Sequence, residues 1–514
     1  MFRPTRRRLL QTTGGGLAAL SLPGFLAACA KDGTLAAAGG PLPTDPFLEW
    51  FGIDASVIRR VLAELGRNGA DHGELYFQHA RSSSLSMEDG RVGRASTSVD
   101  QGVGLRVVVG DQVGYAYTED LTEAAMREAA RTAAAIASGG ARGAPTDLTP
   151  HALGDRYHLA MPWSEVATAD KLELVRRTEA VARAKDPAIE KVSVYMGDGE
   201  ERVLVADMRG NLVIDERPSS RLGVRLTARR GDAVQSNGST LAGRHGIEWY
   251  DEARVQQVCD EACDRTMVLF DAVRPKAGEW PVVLAAGASG ILLHEAIGHG
   301  MEADFNRKGI SIYAEMLGKS VAPDFVTVVD EGTLPGERGA LNVDDEGTPA
   351  GRTLLVENGV LRSYLHDRIS AKHYGVAPTG SGRRESFRHV PMPRMRSTYM
   401  ENGPHTLDEM VSSVEYGIIA ETFTNGQVNI GAGDFTFFIK NGWLVEGGKK
   451  TAPIKDVNII GNGPEALRNV AMVADDLALD TSGWTCGKNG QGVPVSQGMP
   501  SVLVSKLNVG GSDA

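Results

Sequence analysis

Residues 294–299 read His-Glu-Ala-Ile-Gly-His, inside the run GASGILLHEAIGHGMEADFNRKG. Two imidazoles flanking a carboxylate can build a hydrolytic metal site: the histidines hold the ion, and the carboxylate of Glu295 takes a proton from the attacking water. The familiar zinc helix is H-E-x-x-H, and here the second histidine comes one residue later. On a regular α-helix positions i and i+4 are about 40° apart, whereas i and i+5 are about 140° apart. His294 and His299 can grip one ion only if a π-bulge widens the helix or the helix unwinds before His299. Gly298 and Gly300 flank His299 and would supply that freedom. From spacing alone the stretch is either a metal site with an altered spine or an accident of composition.

A catalytic zinc site commonly takes three protein ligands and leaves one position open. The candidate third ligand is Cys486, in the Gly-rich stretch DTSGWTCGKNGQGVPVSQGMP. Lys488 stands close by and would favour the thiolate. The competing reading is a buried structural thiol. Two imidazoles and a soft thiolate suit Zn²⁺ better than Mg²⁺ or Ca²⁺. Cys259 and Cys263 lie on a helical pattern and are read as small core hydrophobes, with no need for a disulfide or a metal.

Three separated blocks, HEAIGHGMEADFNRKG, GSGRRESFRHVPMPRM and TCGKNGQGVPV, occur in that order. Together they resemble the TldD-type subunit of the TldD/PmbA peptidases, from about residue 50 to the C-terminus. The resemblance implies a zinc metallopeptidase with an HExxxH site completed by a downstream cysteine. By motif, His294, His299 and Cys486 match the metal ligands and Glu295 the catalytic carboxylate. It also implies a dimer, either a homodimer or a pairing with a PmbA-like subunit, that encloses the site in a cavity. Short or unfolded peptides would enter in extended form and pair with an exposed strand. In the arginine-rich block, Arg383, Arg384 and Arg388 either receive a peptide carboxylate or make surface and interface salt bridges.

The elements that must position these residues are those of an α+β chain. A helix with Asp54 as N-cap ends near Gly66. Strand patterns follow at Glu74–Gln78, Leu85–Glu88 and Val103–Val109, with turns at Asp89-Gly90 and Gly110-Asp111. Helices are expected over Thr122–Ala137 and Asp170–Lys185, the second with Asp170 and Glu173 as a capping box. Ser289 is the expected N-cap of the HEAIGH helix. Hairpin turns are read at Asn358-Gly359, Asn425-Gly426 and Asn441-Gly442, and a late helix at Pro464. This gives a tether over 29–48, an N-terminal α+β domain over 49–275 and a β-rich catalytic domain over 276–514, rich in antiparallel strands.

The chain is acidic, with a net charge of −11, and this argues against nucleic acid as a partner. The first 28 residues instead carry four Arg and no acid. They resemble a twin-arginine export signal (Arg6, Arg7) ending in a lipoprotein box at Cys29. The expected location is the periplasm or the periplasmic face of a membrane, with a lipid anchor through Cys29. Family members are usually cytoplasmic, so export would redirect the activity to peptides of the cell envelope. The alternative function is a non-catalytic peptide-binding subunit or envelope lipoprotein that needs an active partner.

Overall fold

The structure, a computed structural model, describes residues 50–511 apart from 138, 140–142, 152 and 430. The export signal, the tether and Cys29 lie outside the described residues. Helix α1 (Ala55–Leu65) opens on Asp54, whose carboxylate accepts from the Val57 N–H, and closes at Gly66. Strands β1 (His72–Glu88), β2 (Arg91–Val109) and β3 (Gln112–Thr118) follow. They turn at Asp89-Gly90, with φ 47° and 75°, and at Gly110, where a left-handed backbone matches the twist of a tight hairpin. Strand β2 runs well past its apolar core, since its exposed first half, from Arg91 to Gln101, still pairs with β1.

Helices α2 (Glu123–Ile136) and α3 (Thr168–Arg183) then lead to β4 (Ile189–Asp207), β5 (Asn211–Arg230), β6 (Ala233–Gly243) and α4 (Glu252–Met267). Helix α3 starts a turn earlier than Asp170, behind Ala167 and without a side-chain cap. Trp163 and Val166 pack with Leu174 and Val175 in one core, and this packing fixes the start of the helix where the capping box does not. β5 runs straight through Pro218. Its pairing with β6 begins only at Ser220, so the proline sits where the strand still has a free edge.

The antiparallel order is β3-β2-β1-β4-β5-β6. Alternating residues such as Leu75, Phe77, Leu85 and Met87 on β1 face two cores covered by α1 and α2 at one end and by α3 and α4 at the other. The opposite face is divided. One end carries Glu74, Tyr76 and Arg106 against the rest of the protein, and the other end carries Ser82, Ser84, Tyr195 and Arg221.

In the C-terminal half, β7 (Gly278–Leu284), β8 (Tyr416–Asn429), β9 (Asp434–Glu446), β10 (Lys449–Ile454), β11 (Val457–Asn462) and β12 (Val502–Gly510) form one sheet. Its pairings close into a ring, β7-β12-β11-β9-β8 and back to β7, with only β7–β8 parallel. Closure removes the exposed edges that a sheet of this size otherwise has to protect. Asn425-Gly426 and Asn441-Gly442 lie inside β8 and β9 instead of turning between strands. The glycines are there for space: a Cβ on Gly426 would sit 2.1 Å from the Phe437 ring, and one on Gly442 would sit 2.2 Å from the Ile419 carbonyl oxygen. Asn358-Gly359 does turn, with φ 48° and 77°. The late helix spans Gly463–Arg468, capped by Asn462 with Pro464 in its first turn. With 43% strand and 22% helix, the chain is α+β with antiparallel sheets.

Buried charge joins the N-terminal sheet to the C-terminal half. Arg384 donates to Glu74 at 2.6 Å, Arg217 to Asp345 at 2.6 Å, and Arg106 to Glu346. The pairs connect β1, β2 and β5 to the loop 343–348 and to the arginine-rich block. Removing one partner of such a pair leaves a buried charge uncompensated, which costs about 3–5 kcal/mol.

Candidate metal centre

Strand β7 delivers the chain to α5 (Gly290–Leu293), a single α-helical turn. Ser289 precedes it but makes no side-chain cap; its hydroxyl donates to the Ala420 carbonyl at 3.4 Å instead. From His294 to Gly298 the helix widens into a π turn, and the His299 N–H donates to the carbonyl of His294, five residues back. The extra residue in that turn is the one by which the motif departs from the zinc helix. It brings the two rings together, with centroids 5.1 Å apart and planes at 85°. The helix then tightens to 3₁₀ over His299–Met301.

Gly298 serves this turn in a different way from the one its type suggests. Its φ and ψ are −57° and −49°, a conformation open to any residue. A Cβ there would meet the Met395 sulfur at 2.1 Å, and one on Gly300 would meet the Tyr313 ring at 2.7 Å. Both glycines make room for neighbours and leave their backbone freedom unused.

The third donor comes from a two-stranded hairpin, Thr485–Lys488 with Gln491–Pro494. Cys486 points inward from it, and its Sγ lies 3.4 Å from Nε2 of His299. One donor atom from each of His294, His299 and Cys486 lies within 4.8 Å of the other two, and all three residues are buried. A tetrahedral zinc ion spaces its nitrogen and sulfur ligands about 3.5 Å apart. His294 Nδ1 is also buried without a hydrogen-bond partner. The donor set therefore fits a zinc ion. Glu295 stands at the rim, 21% exposed, with Oε2 3.9 Å from His299 Nε2.

Sequence reasoning did not find the groups behind this cluster. Glu302, fully buried, accepts from Nδ1 of His299 at 3.0 Å, which fixes the ring and leaves Nε2 facing Cys486. Lys488 does not serve the thiolate as expected. Its Nζ lies 3.1 Å from Glu302, 2.7 Å from Asp304 and 3.1 Å from the Pro393 carbonyl. Arg394, also buried, donates to the carbonyls of Cys486 and Gln491 and so grips both strands of the hairpin. The available signals were positional: Glu302 follows His299 by three residues, and Lys488 shares the inward face of its strand with Cys486.

The electrostatics follow from these neighbours. Burial pushes the Cys486 thiol up, but the imidazoles of His294 and His299 outweigh it and hold the group well below the ordinary thiol range. For His299 burial works downward, and the Glu302 carboxylate and the Cys486 thiolate hold it well above its ordinary value. Burial raises Glu302, yet Lys488 and His299 bring it down to about 2. Both shifts favour a thiolate beside a charged imidazole, the electrostatic setting that a bound cation would share with its ligands.

The three arginines named from the sequence have internal partners. Arg383 donates to the carbonyls of Met395 at 2.6 Å and Pro494 at 2.8 Å. Arg384 pairs with Glu74 and lies over the Tyr76 ring. Arg388 pairs with Asp100 and Glu119 at the surface. Cys259 and Cys263 are free thiols in the core of α4, as their spacing predicts.

Residues 277–511 match the PmbA/TldA metallopeptidase C-terminal domain, residues 73–137 its domain 1 and residues 162–270 its central domain. The chain belongs to this metallopeptidase family. It is 37% identical to the Metalloprotease TldD homolog of Haemophilus influenzae, over 87% of this chain and 95% of that one. The Zinc metalloprotease TldD homolog of Saccharolobus solfataricus is 28% identical, over 86% of this chain and 97% of that one. In fold, this metallopeptidase superposes on TldE from Thermococcus kodakarensis with a TM-score of 0.70 at 19% identity, covering 88% of this chain and all of that one.

Proposed function

We propose that this metallopeptidase is zinc-dependent and hydrolyses short or unfolded peptides, with His294, His299 and Cys486 as the ligands and Glu295 as the general base. The observation that carries this reading is the 3.4 Å approach of Cys486 Sγ to His299 Nε2, across a π turn that also brings in His294. The name of the Saccharolobus relative supports zinc, and so does a donor set of imidazole and thiolate. When bound, the ion supplies Lewis acidity toward a scissile carbonyl.

The chain's own residues supply the rest. Glu295 is next to one ligand and within 3.9 Å of another, yet partly open to solvent. From there its carboxylate takes a proton from the attacking water and passes it to the leaving amine. Glu302 keeps the His299 ring in one tautomer, with the proton on Nδ1. The resemblance to TldD-type subunits implies assembly as a dimer with a PmbA-like subunit or a second copy, enclosing a cavity that admits extended peptides. The twin-arginine pattern at Arg6 and Arg7 and the box ending at Cys29 support export and a lipid anchor. Mass spectrometry of the mature N-terminus tests both.

The deciding experiment measures zinc in the purified protein beside its Cys486→Ser, His299→Ala and Glu295→Gln variants. About one zinc per chain is expected in the parent and in Glu295→Gln, with loss in the other two. Glu295→Gln should also lose at least ~100-fold in peptide hydrolysis. A parent free of metal, or full hydrolysis by Glu295→Gln, would overturn the reading.

A further inference from the structure

The open end of the N-terminal sheet, on the face away from the helices, holds a polar cavity of about 380 Å³. Its floor is laid by two cross-strand serine pairs, Ser82 with Ser98 and Ser84 with Ser96, each joined at 2.8 Å. Gly197 and Gly199, opposite Ser84 and Ser82 on β4, carry no side chain and leave the floor deep. Arg221 rises from the same face of β5, and Arg338 reaches over from the C-terminal half.

Neither guanidinium has a carboxylate within 4.0 Å among the described residues, in a chain where acids outnumber bases, 65 to 54. The Nε of Arg338 is buried with no hydrogen-bond partner. Its neighbour Glu337 is turned away to Ser496, which donates to it at 2.8 Å. Asp198, which also borders the cavity, is neutralised by Lys171 at 2.8 Å. Burial together with the charges of Arg244 and Arg221 holds the Arg338 guanidinium down at about 10. Two like charges over a floor of hydroxyls, one with an unused donor, form a receptor for an oxyanion.

The location says which oxyanion. The Arg338 guanidinium donates to the Thr485 hydroxyl at 3.3 Å, and Thr485 immediately precedes Cys486. On the other side, Tyr195 and Arg221 also border a second hollow of about 660 Å³, lined further along the strands by Ser86, Gly223 and Thr240. The two hollows follow the strands in line and share Tyr195 and Arg221, so a ligand reaching both is extended, with its acidic group where Arg221 and Arg338 meet.

We propose that Arg338 and Arg221 receive a side-chain carboxylate of an extended peptide lying on this sheet face, and so select acidic peptides as substrates. The inference rests on the peptidase reading above for its ligand class, but its test reads binding alone. The probes are N-acetylated, C-amidated hexapeptides of Ala and Val that differ only in one central Glu or Gln. They are titrated calorimetrically at low salt into the full-length chain carrying Glu295→Gln. The Glu peptide should bind about 10-fold more tightly than the Gln peptide, with the difference lost at high salt. Arg338→Gln and, independently, Arg221→Gln should reduce the preference to less than about threefold. Arg221 is exposed, so its variant keeps the test valid if Arg338→Gln disturbs folding. Equal affinity for both peptides, or a preference that survives both substitutions, overturns the proposal. So does inorganic phosphate that competes with the Glu peptide and binds more tightly than it does, since the site would then be a phosphate receptor. Zinc content is measured on the same samples, so a failure of the metal reading appears separately.

Discussion

The Glu302 carboxylate lies 3.0 Å from Nδ1 of His299 and 3.1 Å from Nζ of Lys488, so one buried side chain joins the second histidine to the strand that carries Cys486. Outer partners of this kind set the orientation and basicity of a ligand, and removing one costs about 10–100-fold in metal affinity. Glu302→Gln should show a loss of that size in competition with a chromophoric chelator. Lys488→Met should weaken zinc as well and lower stability, because Glu302 and Asp304 would keep buried charge without a cation. An unchanged chelator midpoint in both variants would rule out the linkage.

Cys259 offers the contrasting case of a thiol with no ligand role. Burial pushes it up to about 12, and its sulfur donates only to the Thr178 carbonyl at 3.5 Å. Cys259→Ala should leave zinc content unchanged and cost about 1–2 kcal/mol in urea unfolding, the price of a small cavity. Loss of zinc in that variant would mean that the metal count does not report on Cys486 alone.

His366 should make the fold acid-sensitive. It is 3% exposed, its Nδ1 has no hydrogen-bond partner, and it packs beside the rings of Tyr364 and Tyr374. Burial lowers it to about 4, below the unfolded value of about 6.5. The unfolded chain therefore takes up the proton first. The neutral ring's contribution is complete above about pH 6.5 and is lost as pH falls toward 4, roughly 2–3 kcal/mol in all. His366→Phe should lose less stability than the parent between pH 7.5 and 4.5, read from urea midpoints. Parallel losses in the two proteins would place the acid sensitivity elsewhere.

Gly442 tests why a turn-like dipeptide sits in the middle of a strand. Gly442→Ala drives a methyl group into the Ile419 carbonyl and should destabilise by roughly 1–3 kcal/mol. Gly351→Ala, with nothing within 4 Å of the added carbon, should stay within about 0.5 kcal/mol of the parent. Equal effects would remove the steric explanation.

Local chemistry was legible in the sequence wherever a residue acts on its own backbone. Asp54, Asp89-Gly90 and Asn358-Gly359 all fall where cap and hairpin rules put them. For the five-residue spacing of His294 and His299 the sequence offered a π-bulge or an unwound turn, and the structure has the π turn. What stayed hidden was decided by distant packing. Gly298, Gly426 and Gly442 look like conformational hinges but are set by Met395, Phe437 and Ile419. Lys488 was read against its sequence neighbour Cys486, whereas its partners lie 184 and 186 positions away, at Asp304 and Glu302. The arginine-rich block reads either as a receiver of peptide carboxylate or as surface and interface salt bridges, yet Arg383 and Arg384 are buried against internal partners. Charge run and spacing do not tell a sequence reader which surface a residue ends up against.

Cys486 and His299 are separated by 187 positions, and the ring of strands closes only with Val502–Gly510. During synthesis the two histidines exist long before their sulfur does. A chain that ends between His299 and Cys486 carries the recognisable motif without its sulfur donor. Under the proposed ligand set, the metal centre is therefore completed last, after nearly the whole chain has been made.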